Sequence, residues 1–194
     1  MRRSALTRYR WRNIAASLFL WPLLAVHPAQ ASKNRNAAIL ARVLSFELSL
    51  DERVGPSVGV AVIYKRGDPA SEANAEEWLQ GLAELAAVRI KDRPFFAIKV
   101  VYAPDALRAA IDQGGIDVLL VADGLTAESE VIAKLARAKH VLTAGNAASY
   151  VERDMTLCVT EQGGNIKIIV NLNAAHLEGI RFSSSLLKLA TIIR

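Results

Sequence analysis

The chain has 194 residues, and its 24 basic and 19 acidic side chains give a formal net charge of +5. The positive excess comes from five arginines within residues 1–31, which contain no acid, so residues 32–194 carry equal numbers of acidic and basic side chains. A domain with balanced charge has no electrostatic basis for binding nucleic acid, and the length of this segment suits one domain with a hydrophobic core.

Residues 1–31 have the three-part pattern of a secretory signal peptide. Their arginines precede an apolar run over residues 14–26, and a small-residue site ending at Ala31 follows. An uncleaved membrane anchor is the alternative, but the apolar run is short for a membrane span and contains Pro22. We therefore predict a signal peptide over residues 1–31 and an exported domain over residues 32–194.

Helical and β-rich segments alternate from the start of this domain to about residue 145. A first helix is predicted over residues 34–50, where Asn34 or Asn36 can cap it. Four β-rich runs follow, at Ser57–Tyr64, Phe95–Tyr102, Ile116–Asp123 and His140–Gly145. A helix is predicted between each pair of successive runs. The first has Trp78, Leu82, Leu85 and Arg89 on one stripe. The second runs from Pro104 to Ile111, and the third from the candidate cap Thr126 to Lys139.

The last third of the chain changes pattern. Two β-rich runs joined by Gly163-Gly164 predict an antiparallel hairpin, because this dipeptide permits a tight turn. We expect Asn173 to cap a short helix from Ala174 to Gly179, and residues 180–193 to form a final helix against the core. The predicted fold class is α/β, a single-domain three-layer sandwich whose mostly parallel sheet ends in an antiparallel C-terminal hairpin.

Residues with catalytic or metal-binding chemistry are few. The sequence has no Gly-x-Ser-x-Gly, phosphate-loop, Cys-x-x-Cys, His-Glu-x-x-His or dinucleotide-binding motif. Residues 32–194 contain two histidines, His140 and His176, and one cysteine, Cys158, so no internal disulfide can form. A buried apolar role is expected for Cys158, with a bridge between two chains as the alternative. We predict a non-enzyme without cofactor or metal.

Polar side chains at the predicted strand ends and bends are the candidates for binding. Ligands of open parallel sheets bind beyond the carboxyl ends of the strands. Turn formation and helix capping are the alternative role for such residues. The six candidates for contacting a ligand or partner are Asp123, Thr143 and Asn146 after or in the parallel strands, and Asn171, Asn173 and Arg181 in the closing segment.

Four short motifs stand together in the C-terminal third, namely Leu142-Thr143-Ala144-Gly145, the turn Gly163-Gly164, Asn171 with Ala174-Ala175, and Ser184-Ser185-Leu186-Leu187-Lys188-Leu189-Ala190. With these motifs the chain resembles the YfiR/HmsC-like family of bacterial periplasmic proteins. The resemblance implies a periplasmic location, a single α/β domain that is often dimeric, and regulation of a membrane-bound diguanylate cyclase. Redox sensing through an internal disulfide, which some members use, is excluded here because Cys158 is alone.

Two functions of different classes follow from these observations. The first is a non-catalytic periplasmic regulator whose partner is the periplasmic domain of a membrane sensor or cyclase, with homodimerisation expected and gating by a small-molecule ligand left open. The alternative is a small-molecule binding component of an envelope transport system. A hydrolase is a third hypothesis, for which the sequence offers no nucleophile and base pair.

Overall fold

The computed structural model describes residues 28–194, with side chains from residue 35 onward. The predicted signal peptide therefore lies outside the described residues, except that residues 28–31 form the start of the first helix. The strands are β1 (Val58–Tyr64), β2 (Phe95–Val101), β3 (Val118–Val121), β4 (Leu142–Gly145), β5 (Leu157–Gln162), β6 (Asn165–Asn171) and β7 (Thr191–Ile193). The helices are α1 (Pro28–Ser45), α2 (Leu50–Arg53), α3 (Pro69–Ala83), α4 (Pro104–Gly114), α5 (Ser129–Lys139), α6 (Ala148–Val151), α7 (Leu172–Glu178) and α8 (Ser184–Leu187).

The strands form one seven-stranded sheet in the order β2-β1-β3-β4-β5-β6-β7. Strands β1 to β5 are parallel to one another, β6 is antiparallel to β5, and β7 is parallel to β6. The β5–β6 pair turns at Gly163 and Gly164, which both have positive φ angles, as the hairpin requires. The predicted mostly parallel sheet with an antiparallel hairpin is confirmed.

Helices cover both faces of the sheet and make the core double-sided. Val60 and Leu120 pack with residues of α1 and α3 on one face, whereas Ala61 and Leu119 pack with α4 and α5 on the other. Every residue of β3 is buried because it lies between these two layers. The α/β fold class predicted from the continuous apolar runs is thus confirmed.

Some helix and strand boundaries differ from the sequence predictions. α5 begins at Ser129, because the residues before it form a turn in which the Thr126 carbonyl accepts the Ser129 hydroxyl. His140 ends α5 in a left-handed conformation and does not open β4. α3 ends at Ala83, so the predicted stripe extends past the helix into the following turns.

The first and last helices predicted from sequence are each divided. The chain leaves α1 at Ser45 so that Glu47 can pair with Phe182, and α2 follows as a separate helix. At the other end, α8 spans only Ser184–Leu187, and β7 follows it and pairs with β6. Leu189, which the sequence places on the core face of a helix, is 74% exposed.

No helix within the described residues is long and apolar enough to cross a membrane.

Candidate functional site

A cleft of about 350 Å³ lies beyond the carboxyl ends of β3 and β4. The strand order changes direction here, since β1 leads through α3 to β2 on one side while β3 lies on the other. Crevices at such a point are the usual ligand sites of open α/β sheets. This carboxyl-end cleft is lined by Asn36 of α1, Ala70, Ala73, Asn74, Glu77 and Trp78 of α3, Asp123 after β3, Asn146 after β4, and Thr160 and Glu161 of β5.

Asp123 is held at the cleft by its backbone. Its N–H donates to the Asn74 side-chain oxygen over 3.1 Å, which fixes the end of β3 against α3. α3 is itself anchored at its start, because the Asp68 carboxylate accepts from the N–H groups of Ala70 and Ser71. Within the described part of the chain, the Asp123 carboxylate accepts no hydrogen bond and forms no ion pair. Its charge is thus available to a ligand.

Tyr150 clamps the turn that carries Asp123 from the opposite side. Its hydroxyl donates to the Ala122 carbonyl over 2.6 Å and accepts from the Leu125 N–H over 3.2 Å. Burial raises the pKa of this hydroxyl, so it stays a donor at neutral pH. The ring fits because residue 145 is glycine, where a Cβ would lie 2.7 Å from the Tyr150 ring. Asp123 therefore sits on a turn fixed at both flanks.

Two amide oxygens at the cleft have no hydrogen-bond donor among the described residues. They are the buried side-chain oxygens of Asn36 and Asn146. Unpaired buried polar atoms are uncommon in folded proteins, and those in a cavity are natural contacts for a ligand. The structure thus brings two of the six predicted residues, Asp123 and Asn146, together, and it adds Asn36, which the sequence indicated only as a helix cap.

Thr143 lies inside the protein and not at the cleft. Its side chain and N–H donate to the two carboxylate oxygens of Glu178 over 2.6 and 3.0 Å, and the Thr156 hydroxyl donates to the same carboxylate over 2.6 Å. The Thr156 N–H in turn donates to the Thr143 hydroxyl over 2.8 Å. This Glu178 network, composed of Thr143, Thr156 and Glu178, ties α7 to β4 and to the start of β5.

Glu178 was not predicted as a site residue from the sequence, and in the structure it is completely buried. Burial raises the pKa of its carboxyl to about 7, against the opposing effect of the three hydrogen bonds. The available signal was its spacing, because Glu178 is four and three residues after the buried Ala174 and Ala175 and so shares their helix face. A buried acid that titrates near neutrality can make this packing depend on pH.

The remaining three candidates lie outside the residues that line the cleft. Asn171, and not Asn173, caps α7: its side-chain oxygen accepts from the Ala174 N–H, and its amide donates to the Val151 carbonyl. Asn173 is exposed on the first turn of α7. Arg181 is exposed and pairs with Glu52.

A second buried polar group, at the amino-terminal end of the parallel strands, was also not predicted from the sequence. Glu47 is completely buried and binds the Arg53 guanidinium through both oxygens, at 3.0 and 2.6 Å, while the Ser49 hydroxyl donates to it over 2.8 Å. Arg53 also donates to the Asp117 carbonyl, just before β3. This Glu47 cluster, composed of Glu47, Ser49 and Arg53, joins the segment after α1 to the start of the sheet.

Metal-binding side chains do not cluster in the part of the chain described. No three His, Cys, Asp or Glu side chains among residues 35–194 come together in a way that could hold a metal ion. Cys158 is buried among apolar residues, which raises the pKa of its thiol to about 12 and leaves it unreactive.

Comparison with protein families identifies the chain. The model of the YfiR/HmsC-like family matches residues 67–191, which is most of the described domain. The chain belongs to the YfiR/HmsC-like family. This membership supports a periplasmic regulatory role in general, in a family whose members are generally non-catalytic. A comparison with curated proteins finds no match.

Solved structures share the fold at low sequence identity. A conserved domain protein from Vibrio cholerae has 17% identity and a TM-score of 0.58, over 84% of this chain and 60% of its own. The ABC domain in complex with L-Trp from Streptococcus pneumoniae has 13% identity and a TM-score of 0.55, over 78% and 60%. A substrate-binding protein with adhesive properties from Clostridium difficile, in its ligand-free open form, has 15% identity and a TM-score of 0.53, over 75% and 57%. The matches span about three fifths of the length of these structures.

Proposed function

We propose that this chain is a non-catalytic periplasmic regulator that binds the periplasmic domain of a membrane-bound signalling protein, such as a diguanylate cyclase, and controls its output. The observation that carries the proposal is the YfiR/HmsC-like match over residues 67–191. That segment contains every described residue that lines the carboxyl-end cleft except Asn36. A cleft on a regulator provides a place where a small molecule can alter binding of the partner.

The proposed regulator acts as a homodimer. Support comes from β2, which forms one edge of the sheet and leaves Phe96 and Ile98 more than a third exposed on the same face. An edge strand with apolar side chains is a ready surface for pairing with another chain, and a dimer would cover it.

Capture of partners from the envelope tests the proposal. Tagged residues 32–194 are incubated with the solubilised envelope fraction of the native host, and bound proteins are identified by mass spectrometry. We expect a membrane protein with a cyclase or another signalling output domain. An unrelated exported domain with the same tag is the control, and a bound set identical to that of the control would contradict the proposal.

A binding component of an envelope transport system is the second candidate. The cleft and the fold shared with a substrate-binding protein favour it, although this chain spans only 57% of that protein. The same capture experiment separates the two candidates, because transporter subunits would then be recovered in place of a signalling protein.

A further inference from the structure

We propose that the carboxyl-end cleft binds a small organic amine that carries no carboxylate, with Asp123 as the counter-charge of its ammonium group. The inference rests on the proposed function, for which it names the class of regulating ligand. It starts from what the cleft offers, namely the Asp123 carboxylate and the side-chain oxygens of Asn36 and Asn146. These oxygens are hydrogen-bond acceptors, so a ligand group that contacts them has to supply donors.

A charged donor matches this set better than a neutral one. Among the described residues that line the cleft, three are acidic and none is basic. Glu77 and Glu161 already interact within the chain, so we take the Asp123 carboxylate as the group that pairs with a ligand. An ammonium group has three donors and one positive charge, which matches one carboxylate and two amide oxygens.

The same features argue against a metal ion and against amino acids. Calcium requires six to eight oxygen ligands, and no three His, Cys, Asp or Glu side chains among the described residues come together in a way that could hold a metal ion. A zwitterionic amino acid would place its carboxylate in a cleft whose described lining has three acidic side chains and no basic one. The structure therefore favours an amine over the amino acid from which it derives.

The size and the apolar lining limit the rest of the molecule. A cleft of about 350 Å³ is at the lower end of small-molecule sites, and Trp78, Ala70 and Ala73 provide an apolar wall along α3. An ammonium group on a short hydrocarbon or ring fits this combination of an acceptor set and an apolar side.

Calorimetric titration with matched pairs of compounds tests the inference. The amines cadaverine, agmatine and tryptamine are each titrated into residues 32–194 at low ionic strength, beside lysine, arginine and tryptophan. At least one amine is expected to bind at least tenfold more tightly than its amino acid. Absence of binding by all three amines, or equal binding of each amine and its amino acid, would overturn the inference.

Variants locate the site. Asp123→Asn, which preserves the shape of the side chain, is expected to weaken binding of the amine by about tenfold or more. Asn146→Leu removes one acceptor and provides a second test if Asp123→Asn does not fold. Asp105→Asn makes the same change on the exposed start of α4 and is the control. Unchanged affinity in folded Asp123→Asn or Asn146→Leu protein would place the amine elsewhere and overturn the assignment.

These titrations need no partner protein. Failure of the amine to bind therefore leaves the capture experiment free to support the regulator, and failure to capture a signalling protein leaves the ligand class intact.

Discussion

At the scale of single residues, two buried carboxylates are satisfied in different ways. Glu178 accepts only neutral donors, from Thr143 and Thr156, whereas Glu47 is paired with the Arg53 guanidinium. Burial penalises the charged form of both groups, but only Glu47 has an opposite charge in contact to offset that penalty. We therefore test the Glu178 site by changing the pH and the Glu47 site by removing the charge of Arg53.

Glu178 should make stability fall as pH rises. Its folded pKa of about 7 lies above the ordinary value of 4.5, so the stability it contributes is fully present below pH 4.5 and is lost as pH rises through 7. We expect on the order of 3 kcal/mol of this dependence to be absent in Glu178→Gln. Urea unfolding of both proteins at pH 5 and pH 8 measures it, and an unchanged pH dependence in the variant would contradict the assignment.

Removing the partner of Glu47 should be costly. Arg53→Met leaves a completely buried carboxylate unpaired, and we expect the free energy of unfolding to fall by about 3 kcal/mol. Arg181→Met removes an arginine from an exposed pair with Glu52 and should cost less than about 1 kcal/mol. Chemical denaturation compares the two, and similar losses would show that the Glu47 cluster does not stabilise the fold as proposed.

The sequence was sufficient to predict cleft residues that directly follow a strand. Asp123 and Asn146 were expected together because carboxyl ends of parallel strands meet at one edge, and both line the cleft. Thr143 is two residues before the end of β4, where its side chain points into the interior instead. The Glu178 network depends on contacts between segments that are distant along the chain, and the Glu47 cluster on a break in a helix, neither of which local pattern reveals.

At the scale of elements, a helix or strand was predicted correctly where its sequence pattern was long or its turn residues were distinctive. Continuous apolar runs identified β1 and β3, and Gly163-Gly164 identified the hairpin. The short segment β7 is a strand because it pairs with β6. A run of this length is too short to show the alternation of apolar and polar residues that predicts a strand. The two asparagines near α7 were equally good caps by type, and the hydrogen bond to Ala174 decides for Asn171.

The edge strand β2 carries the element-scale prediction. Ile98 is 37% exposed on β2, and Ile98→Lys places a charge on the surface that the proposed homodimer buries. We expect the wild-type protein to sediment as a dimer and this variant as a monomer. Val131→Lys on α5, where Val131 is 49% exposed, is the matched control and should remain dimeric. A dimer that tolerates Ile98→Lys would place the interface elsewhere, and a wild-type monomer would contradict dimerisation itself.

At the scale of the whole molecule, one end of the sheet is built for stability and the other is open. The Glu47 cluster closes the region before β3, where its polar atoms have partners within the protein. The carboxyl-end cleft retains an unpaired carboxylate and unpaired amide oxygens among the residues that the structure describes. An open crevice at the carboxyl ends of the strands is the usual position of a ligand site in open α/β sheets.

We infer that the exported chain controls a membrane-bound signalling protein. If that protein is a cyclase, the concentration of cyclic-di-GMP in the native host tests the inference. The nucleotide is measured in a strain lacking the chain, and again after return of either the full sequence or residues 32–194 without an export signal. We predict that the cyclic-di-GMP level rises in the deletion strain and that only the full sequence restores it. An unchanged level in the deletion strain, or restoration by the unexported domain, would contradict periplasmic control of a cyclase.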